Sequence, residues 1–233
     1  MHLCFKQTSG QIYEQMSQMA QLYAQELDNR FLRISRNLFS AIMDTNETNS
    51  TFWGNVNLMK NGDYSEYAIG KLREEYFSSA WEYGTEYRIF LYTNDTDKLY
   101  QLSLSSDGNY TMSPEIAASI REQIDKLDEK AYAVKRKWDV LECDDEVYIC
   151  KIAQKNGIAL GCIVNVKSIL EPFSKLSLGK HGYVSLVDQD EVCIGMLDQS
   201  GIISEPQSMN TKILIRSVRD YPEHPLRSGS GFL

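Results

Sequence analysis

Five cysteines and three histidines are the side chains of this 233-residue chain best suited to bond-making, and their spacing gives them little to do. Cys4, Cys143, Cys150, Cys162 and Cys193 form no CxxC pair. An odd count at wide spacing fits neither a disulfide framework nor a zinc site. His2, His181 and His224 fall in no HxxxH or HExxH pattern. His181 and Cys193 alone lack the oriented base and oxyanion donors that Cys–His catalysis needs. There is no GxxxxGK[ST] phosphate loop, no GxGxxG turn and no GxSxG elbow. The chain therefore reads as a binding protein without catalytic residues, metal ligands or a cofactor motif. Cys150 and Cys162 each stand six residues from Asn156. A regular hairpin about Asn156 places them opposite one another, as two buried reduced thiols rather than a strained disulfide. Asn46, Asn49, Asn94 and Asn109 each open an N-x-[ST] triplet, a pattern that loop composition alone produces often.

Hydrophobic residues make up 42% and charged residues 24%, ordinary globular usage. Lys+Arg 24 against Asp+Glu 32 leaves a net charge of −8. Such a surface repels phosphate backbones and anionic lipid, so nucleic acid is not an expected partner. Mean hydropathy is −0.38, and no apolar run approaches the ~18 residues that a membrane helix needs. Membrane contact is expected only through segments outside this chain. The opening residues also lack the apolar core of a signal peptide.

The elements that must position any site follow from periodicity. Ile12, Met16, Met19, Tyr23, Leu27, Phe31, Ile34, Leu38 and Ile42 recur at steps of three and four, one face of a helix over 11–43. Thr8 and Gln11 fit a capping box before it. At ~1.5 Å per residue this helix is roughly 45–50 Å long, so it serves as a stalk, a backbone for two modules or a dimer seam. Residues 44–62 read as loop, and 64–82 as a second helix stopped by Gly84. Strands follow at 86–93 and 98–104, carrying Tyr87, Tyr92 and Tyr100. A tyrosine offers an apolar face with one polar tip, suited to a ligand pocket and equally to a strand. Ser113-Pro114-Glu115 opens a third helix with Ile116, Ile120, Ile124 and Leu127 inward. Strands are expected at 138–143, 147–154 and 158–166, a short helix at 168–178, a hairpin at 182–188 and 192–197, and a strand at 212–218. The class is α+β with antiparallel sheets.

Three stretches carry a resemblance. The helix Gln18 to Leu38, the run from Trp138 through Gly157-Ile-Ala-Leu-Gly-Cys-Ile-Val-Asn-Val166 to Ile169-Leu170, and Gly182 to Asp190 come in this order. In that order the chain resembles the double-Cache sensor domains, PAS-like modules of the PhoQ/DcuS/CitA type found outside the membrane in bacterial sensor histidine kinases and chemoreceptors. It departs from them in the proximal turn, where Asp190-Glu191 replaces the usual Asp-Gly, and in a short proximal module. The resemblance implies a stalk helix over 1–45, a membrane-distal PAS-like module over 46–166, and a linker helix with a small proximal module over 167–233.

The resemblance also implies a function. It points to the extracellular sensor portion of a bacterial membrane protein, most often a two-component histidine kinase, with a weak homodimer through the N-terminal helix. Its amino-acid-binding branch holds the ligand carboxylate with an Arg-x-Trp, here Arg136-Lys137-Trp138, helped by a preceding tyrosine, here Tyr132. A guanidinium fork and an indole wall suit that role. With Tyr92 and Tyr100, these residues make up the expected site for an amino or organic acid, between the distal sheet and the segment 105–138. Two other readings remain open: a coiled-coil interaction protein without a pocket, and a chemoreceptor sensor.

Overall fold

The apolar periodicity of the N-terminal part forms one uninterrupted helix, α1 (His2–Met43), in the computed structural model. The structure describes residues 2–44, 50–60, 65–104, 108–127, 133–134, 138–143, 145–175, 183–187, 193–198, 201–204 and 212–216. Side chains are described from Gln18 onward, save at 77–82, 133–134, 198, 202–204 and 212–216. The helix begins earlier than its pattern, so Thr8 and Gln11 lie inside it rather than capping it. Its buried seam is Ala20, Leu27, Phe31, Ile34, Leu38 and Ile42. Met19 and Tyr23, expected in that seam, are 47% and 39% exposed. The seven-residue step from Leu27 back to Ala20 keeps a small residue in the seam, with Ala24 packed beside it, and turns Met19 and Tyr23 outward.

Residues 51–60, read as loop, are a helix: α2 (Thr51–Lys60) buries Phe52, Trp53, Val56 and Met59. Ser50 starts it, its carbonyl accepting from Gly54 N at 2.8 Å. α3 (Ser65–Tyr83) lies beside α2 and ends at Gly84, whose φ of 108° suits glycine. The first sheet has the order β2-β1-β6-β5-β3, with β4 also on β5, and every pair is antiparallel. Its strands are β1 (Tyr87–Thr93), β2 (Lys98–Gln101), β3 (Ala133–Val134), β4 (Asp139–Cys143), β5 (Glu146–Lys155) and β6 (Ile158–Asn165). One face carries Ile89, Leu91, Ile149, Leu160 and Val164 toward α1, α2 and α3. The other carries Phe90, Tyr92, Ile152 and Ile163 toward α4 (Pro114–Asp125). The expected N-cap of α4 is present, with Ser113 Oγ accepting from Ile116 N at 3.2 Å.

The β5–β6 hairpin corrects the cysteine expectation. Its loop has two residues, Asn156 (φ 52°) and Gly157 (φ 72°), both left-handed as a type I′ turn requires. The dyad therefore falls between them, pairing Lys155 with Ile158, Cys150 with Ile163 and Lys151 with Cys162. A one-residue offset reverses faces, so Cys150 lies in the α4-side core and Cys162 in the α1-side core. Among the described residues, Cys143, Cys150, Cys162 and Cys193 form no disulfide. Burial pushes the Cys162 thiol far up.

After β6, Asn165 caps α5 (Val166–Leu170), its Oδ1 accepting from Lys167 N at 2.7 Å, and a 3-10 turn follows over Glu171–Lys175. The helix thus starts two residues before the expected Ser168. The second sheet has the order β10-β7-β8-β9: β7 (Tyr183–Val187), β8 (Cys193–Asp198), β9 (Gly201–Ser204) and β10 (Lys212–Arg216). Val184, Leu186, Ile194 and Leu197 join Val166, Ile169, Leu170 and Phe173 in the same core that α1 seals, and α1 approaches β10.

Gly161 shows how closely the α4-side face is packed. A Cβ there would stand 2.2 Å from Phe90 Cζ and 2.7 Å from the Lys151 carbonyl oxygen. Phe90 pairs directly with Gly161, so its ring lies across the missing side chain. Gly161→Ala is expected to destabilise the fold by about 1–3 kcal/mol through overpacking. Urea unfolding that leaves the midpoint unchanged would show that the ring moves aside without cost.

Candidate functional site

Of the residues expected at the ligand site, Trp138, Tyr92 and Tyr100 are described, and they stand at separate places on the sheet. Trp138 is buried beneath α1, with its ring 4.8 Å from that of Phe31. Tyr100 pairs with Leu91 at the opposite edge of the sheet and packs on the same side, half-buried. Tyr92 faces α4, and its hydroxyl donates to Asp97 Oδ1 at 3.1 Å, the carboxylate that Arg121 of α4 also meets at 3.2 Å. Arg121 therefore fastens α4 to the β1–β2 turn, and Tyr92 holds the shared carboxylate. Tyr132 and Arg136 lie outside the described residues. The space between the sheet and α4 is filled by Ile116, Ile120, Ile124 and Leu127 against Phe90, Ile152 and Ile163.

A cleft of about 550 Å³ opens on the other side, where the C-terminal part of α1 meets the start of α2, the second half of α3 and Ile89 of β1. Its polar walls are Asn37, Asp44, Glu75, Tyr76 and Tyr83, and Phe52 adds an aromatic face. The elements explain the arrangement. Asn37 is one residue before buried Leu38 on α1 and so stands at the edge of the seam. Tyr76 and Tyr83 are seven apart on α3 and rise on the same side of it. Asn37 Nδ2 donates to the Tyr83 hydroxyl and ties α1 to α3. Burial raises the Glu75 carboxyl above its ordinary pKa. Burial also raises the Tyr76 phenol, helped by Glu75 and Tyr83.

Among the described residues, no lysine or arginine lines this cleft. The nearest cations are engaged around it. Arg33 lies 6.0 Å over the Tyr83 ring, and Lys155 lies 5.1 Å over the Trp53 ring with Nζ 3.5 Å from the Asp44 carbonyl oxygen. Two carboxylates, several hydroxyls and aromatic rings can hold an ammonium group by charge, hydrogen bonds and ring faces. To a carboxylate the described lining offers hydroxyl and amide donors but no cation. Sequence reading missed the site because α2 was read as loop, although Phe52, Trp53, Val56 and Met59 keep helical spacing.

Among the described residues, no group of His, Cys, Asp and Glu side chains is placed to hold a metal ion. No described helix is long and apolar enough to cross a membrane. No protein-family model and no curated protein matches the sequence.

Beneath α1 the sheet buries a lysine. Ile89 pairs with Cys162, Cys162 with Lys151, and Trp138, next to Asp139 in the β4 register, falls beside Lys151. Lys151 is only 5% exposed. Burial pulls its pKa down to about 8 from 10.5, against the opposing pull of Asp139. Between those values the unfolded chain binds a proton that the folded chain has released, so this group makes stability rise with pH from about 8 toward 10.5. Lys151→Met is expected to remove that rise and to stabilise the protein at pH 7 by on the order of 1–3 kcal/mol. Denaturant midpoints measured from pH 7 to 9.5 on both proteins check it; parallel curves would mean that the ammonium is not desolvated.

Proposed function

We propose that this chain is the extracellular ligand-sensing domain of a membrane-anchored signalling protein, a double-Cache-like pair of modules feeding a two-component histidine kinase. The observation that carries this reading is the cleft wall. Asn37, Ser40, Ala41 and Asp44 of α1 form one side of it, while α2 and α3 form the other. A molecule seated there bears on a helix of 42 residues that also runs past β5 and β6 and reaches β10 of the second sheet. Such a helix, without an internal break, carries a displacement along its axis. The domain itself performs no chemistry in this reading; it binds, and α1 passes the change on.

The ligand that the cleft favours is a small molecule bearing an ammonium group, an amine or the amino end of an amino acid. Glu75, Asp44 and the rings supply attraction for it. A simple organic acid would meet two carboxylates there and no cation.

A second reading has its own observation. Leu22, Leu32 and Phe39 on α1 are 65%, 48% and 45% exposed, and their spacing of ten and seven residues lies along one coiled-coil-like stripe. This stripe supports pairing with a second copy. It serves a sensor dimer and equally an interaction protein that has no ligand.

Calorimetric titration with amines, amino acids and organic acids separates the two. The sensor reading expects saturable binding by an ammonium-bearing compound, and about a tenfold loss in Glu75→Gln, since a charge-assisted hydrogen bond contributes about 1.5–3 kcal/mol. Silence across the panel, together with a sedimentation dimer that Leu32→Glu dissociates, would favour the interaction protein instead.

A further inference from the structure

A second cavity, of about 460 Å³, lies at the other end of the first sheet, where Tyr23 of α1 meets the start of β1, the end of β6 and the 3-10 turn after α5. Tyr23 packs there on Phe173 at 5.6 Å between ring centroids. The charges in and around this cavity are unevenly matched. Glu86 is 3.4 Å from Arg30. Glu146, just behind Tyr148, accepts from the Tyr148 hydroxyl at 2.8 Å, Asn165 Nδ2 at 2.7 Å and Lys167 Nζ at 3.2 Å. Those partners, Tyr148 first, hold its carboxyl below the usual range against the opposing effect of burial. Glu171 and Lys175 are both exposed and offset each other in charge.

Arg88 is left over. It sits on β1 between Tyr87 and Ile89, which face α1, so it projects from the opposite face, half-buried, beside Tyr148 and Ile163 in the cavity wall. It makes no ion pair or hydrogen bond with any described residue. Burial and the hydrogen bond to Glu146 push the Tyr148 phenol up to about 12, and the Arg88 charge pulls the other way. A guanidinium partly withdrawn from water without a counter-charge is costly. A planar oxyanion with two oxygens meets its fork with two parallel bonds.

We infer that this cavity is a binding site for a small oxyanion, a carboxylate or a phosphate, gripped by Arg88, with the Ser168 hydroxyl as a further donor. The site is separate from the cleft at the other end of α1, and it stands whether or not that cleft takes an amine. Its chemistry differs: a guanidinium without an ion pair among the described residues stands in its wall.

The test is a titration of the 15N-labelled wild-type chain at constant ionic strength with sodium acetate, sodium phosphate and, as control, ammonium chloride. The readout is the Arg88 Nε–H resonance, identified by its loss in Arg88→Lys. A saturable shift with acetate or phosphate, and none with ammonium chloride, is expected. Saturation by acetate alone assigns a carboxylate, by phosphate alone a phosphate, and each supports the site. Arg88→Lys keeps the charge without the fork and should weaken binding, read on the Ser168 and Tyr148 amides. Arg88→Gln should lower affinity by about tenfold to a hundredfold. An unmoved Arg88 resonance in the wild-type protein, or amide shifts that survive Arg88→Gln, would overturn the proposal. Should Arg88→Gln fail to fold, the wild-type titration and Arg88→Lys still decide it.

Discussion

The packing of α1 on the central strands β5 and β6 is the constraint from which the rest of this architecture follows. Leu27, Phe31, Ile34, Leu38 and Ile42 are each no more than 7% exposed, and they span more than 20 Å of helix axis. Burying five such side chains stabilises the fold by on the order of 10 kcal/mol before chain entropy is counted. A helix this long cannot find that much apolar surface within itself or in a single short loop. It needs a sheet face of matching length, and β5 with β6 supplies one, through Ile149, Leu160, Cys162 and Val164. Once that face is committed to α1, the alternation of side chains commits the other face to α4. Phe90, Ile152 and Ile163 then require an amphipathic helix, which Ile116, Ile120 and Ile124 provide.

The same constraint explains why the β5–β6 register is held so firmly. A slip of one residue would bring Cys150 and Ile152 under α1 and send Ile149 to the α4 side. The Asn156-Gly157 turn and the glycine at 161 exclude that slip. The first fixes the dyad, and the second accepts the Phe90 ring only in the present pairing. Lys151 is the cost of this arrangement. It lies between Ile149 and Ala153 on the α1-facing side of β5, where alternation calls for an apolar residue. The row around it, Ile89, Cys162 and Trp138, is apolar and desolvates the ammonium, and Asp139 offsets part of that cost.

What was legible in the sequence was whatever local chemistry decides. The helix face through Leu27, Ile34 and Ile42 was readable from spacing, the start of α4 from Ser113-Pro114, and the hairpin from Asn156-Gly157. Each depends on neighbours a few residues away. The losses have equally definite causes. The N-terminal half of the α1 seam was read as Met19 and Tyr23 because they are large and apolar, whereas the packed structure chose Ala20. That choice depends on what lies opposite, which spacing does not report. α2 was hidden by asparagines at 55 and 57, weak helix formers, although tertiary burial of Phe52 and Trp53 outweighs their preference. The cysteine pairing failed on half a residue: the centre of a two-residue turn lies between its residues, not on one of them. The cleft itself draws on residues 37, 44, 52, 75 and 83, which only the meeting of three helices brings together.

Two cavities of opposite chemical character border one rigid element. Asp44 and Asn37 of α1 stand in the first, and Tyr23 stands in the second, fourteen residues or about 21 Å before Asn37. A helix with no proline between those points resists bending, so in the proposed reading a ligand that shifts α1 at the first cavity would displace Tyr23, near the middle of the helix. Such coupling is reciprocal by thermodynamic necessity. Whatever the occupant of the acidic cleft does to the affinity of the Arg88 cavity, an oxyanion at Arg88 does equally to the acidic cleft. The size of that effect is limited by how differently each ligand binds the two positions of α1, not by how tightly it binds. The side chain of α1 placed to carry it in that reading is Tyr23, which packs on Phe173 in the 3-10 turn after α5. In the proposed sensor reading, this contact would couple α1 to the Arg88 cavity, and Phe173 shares a core with Val184 and Ile194 of β7 and β8.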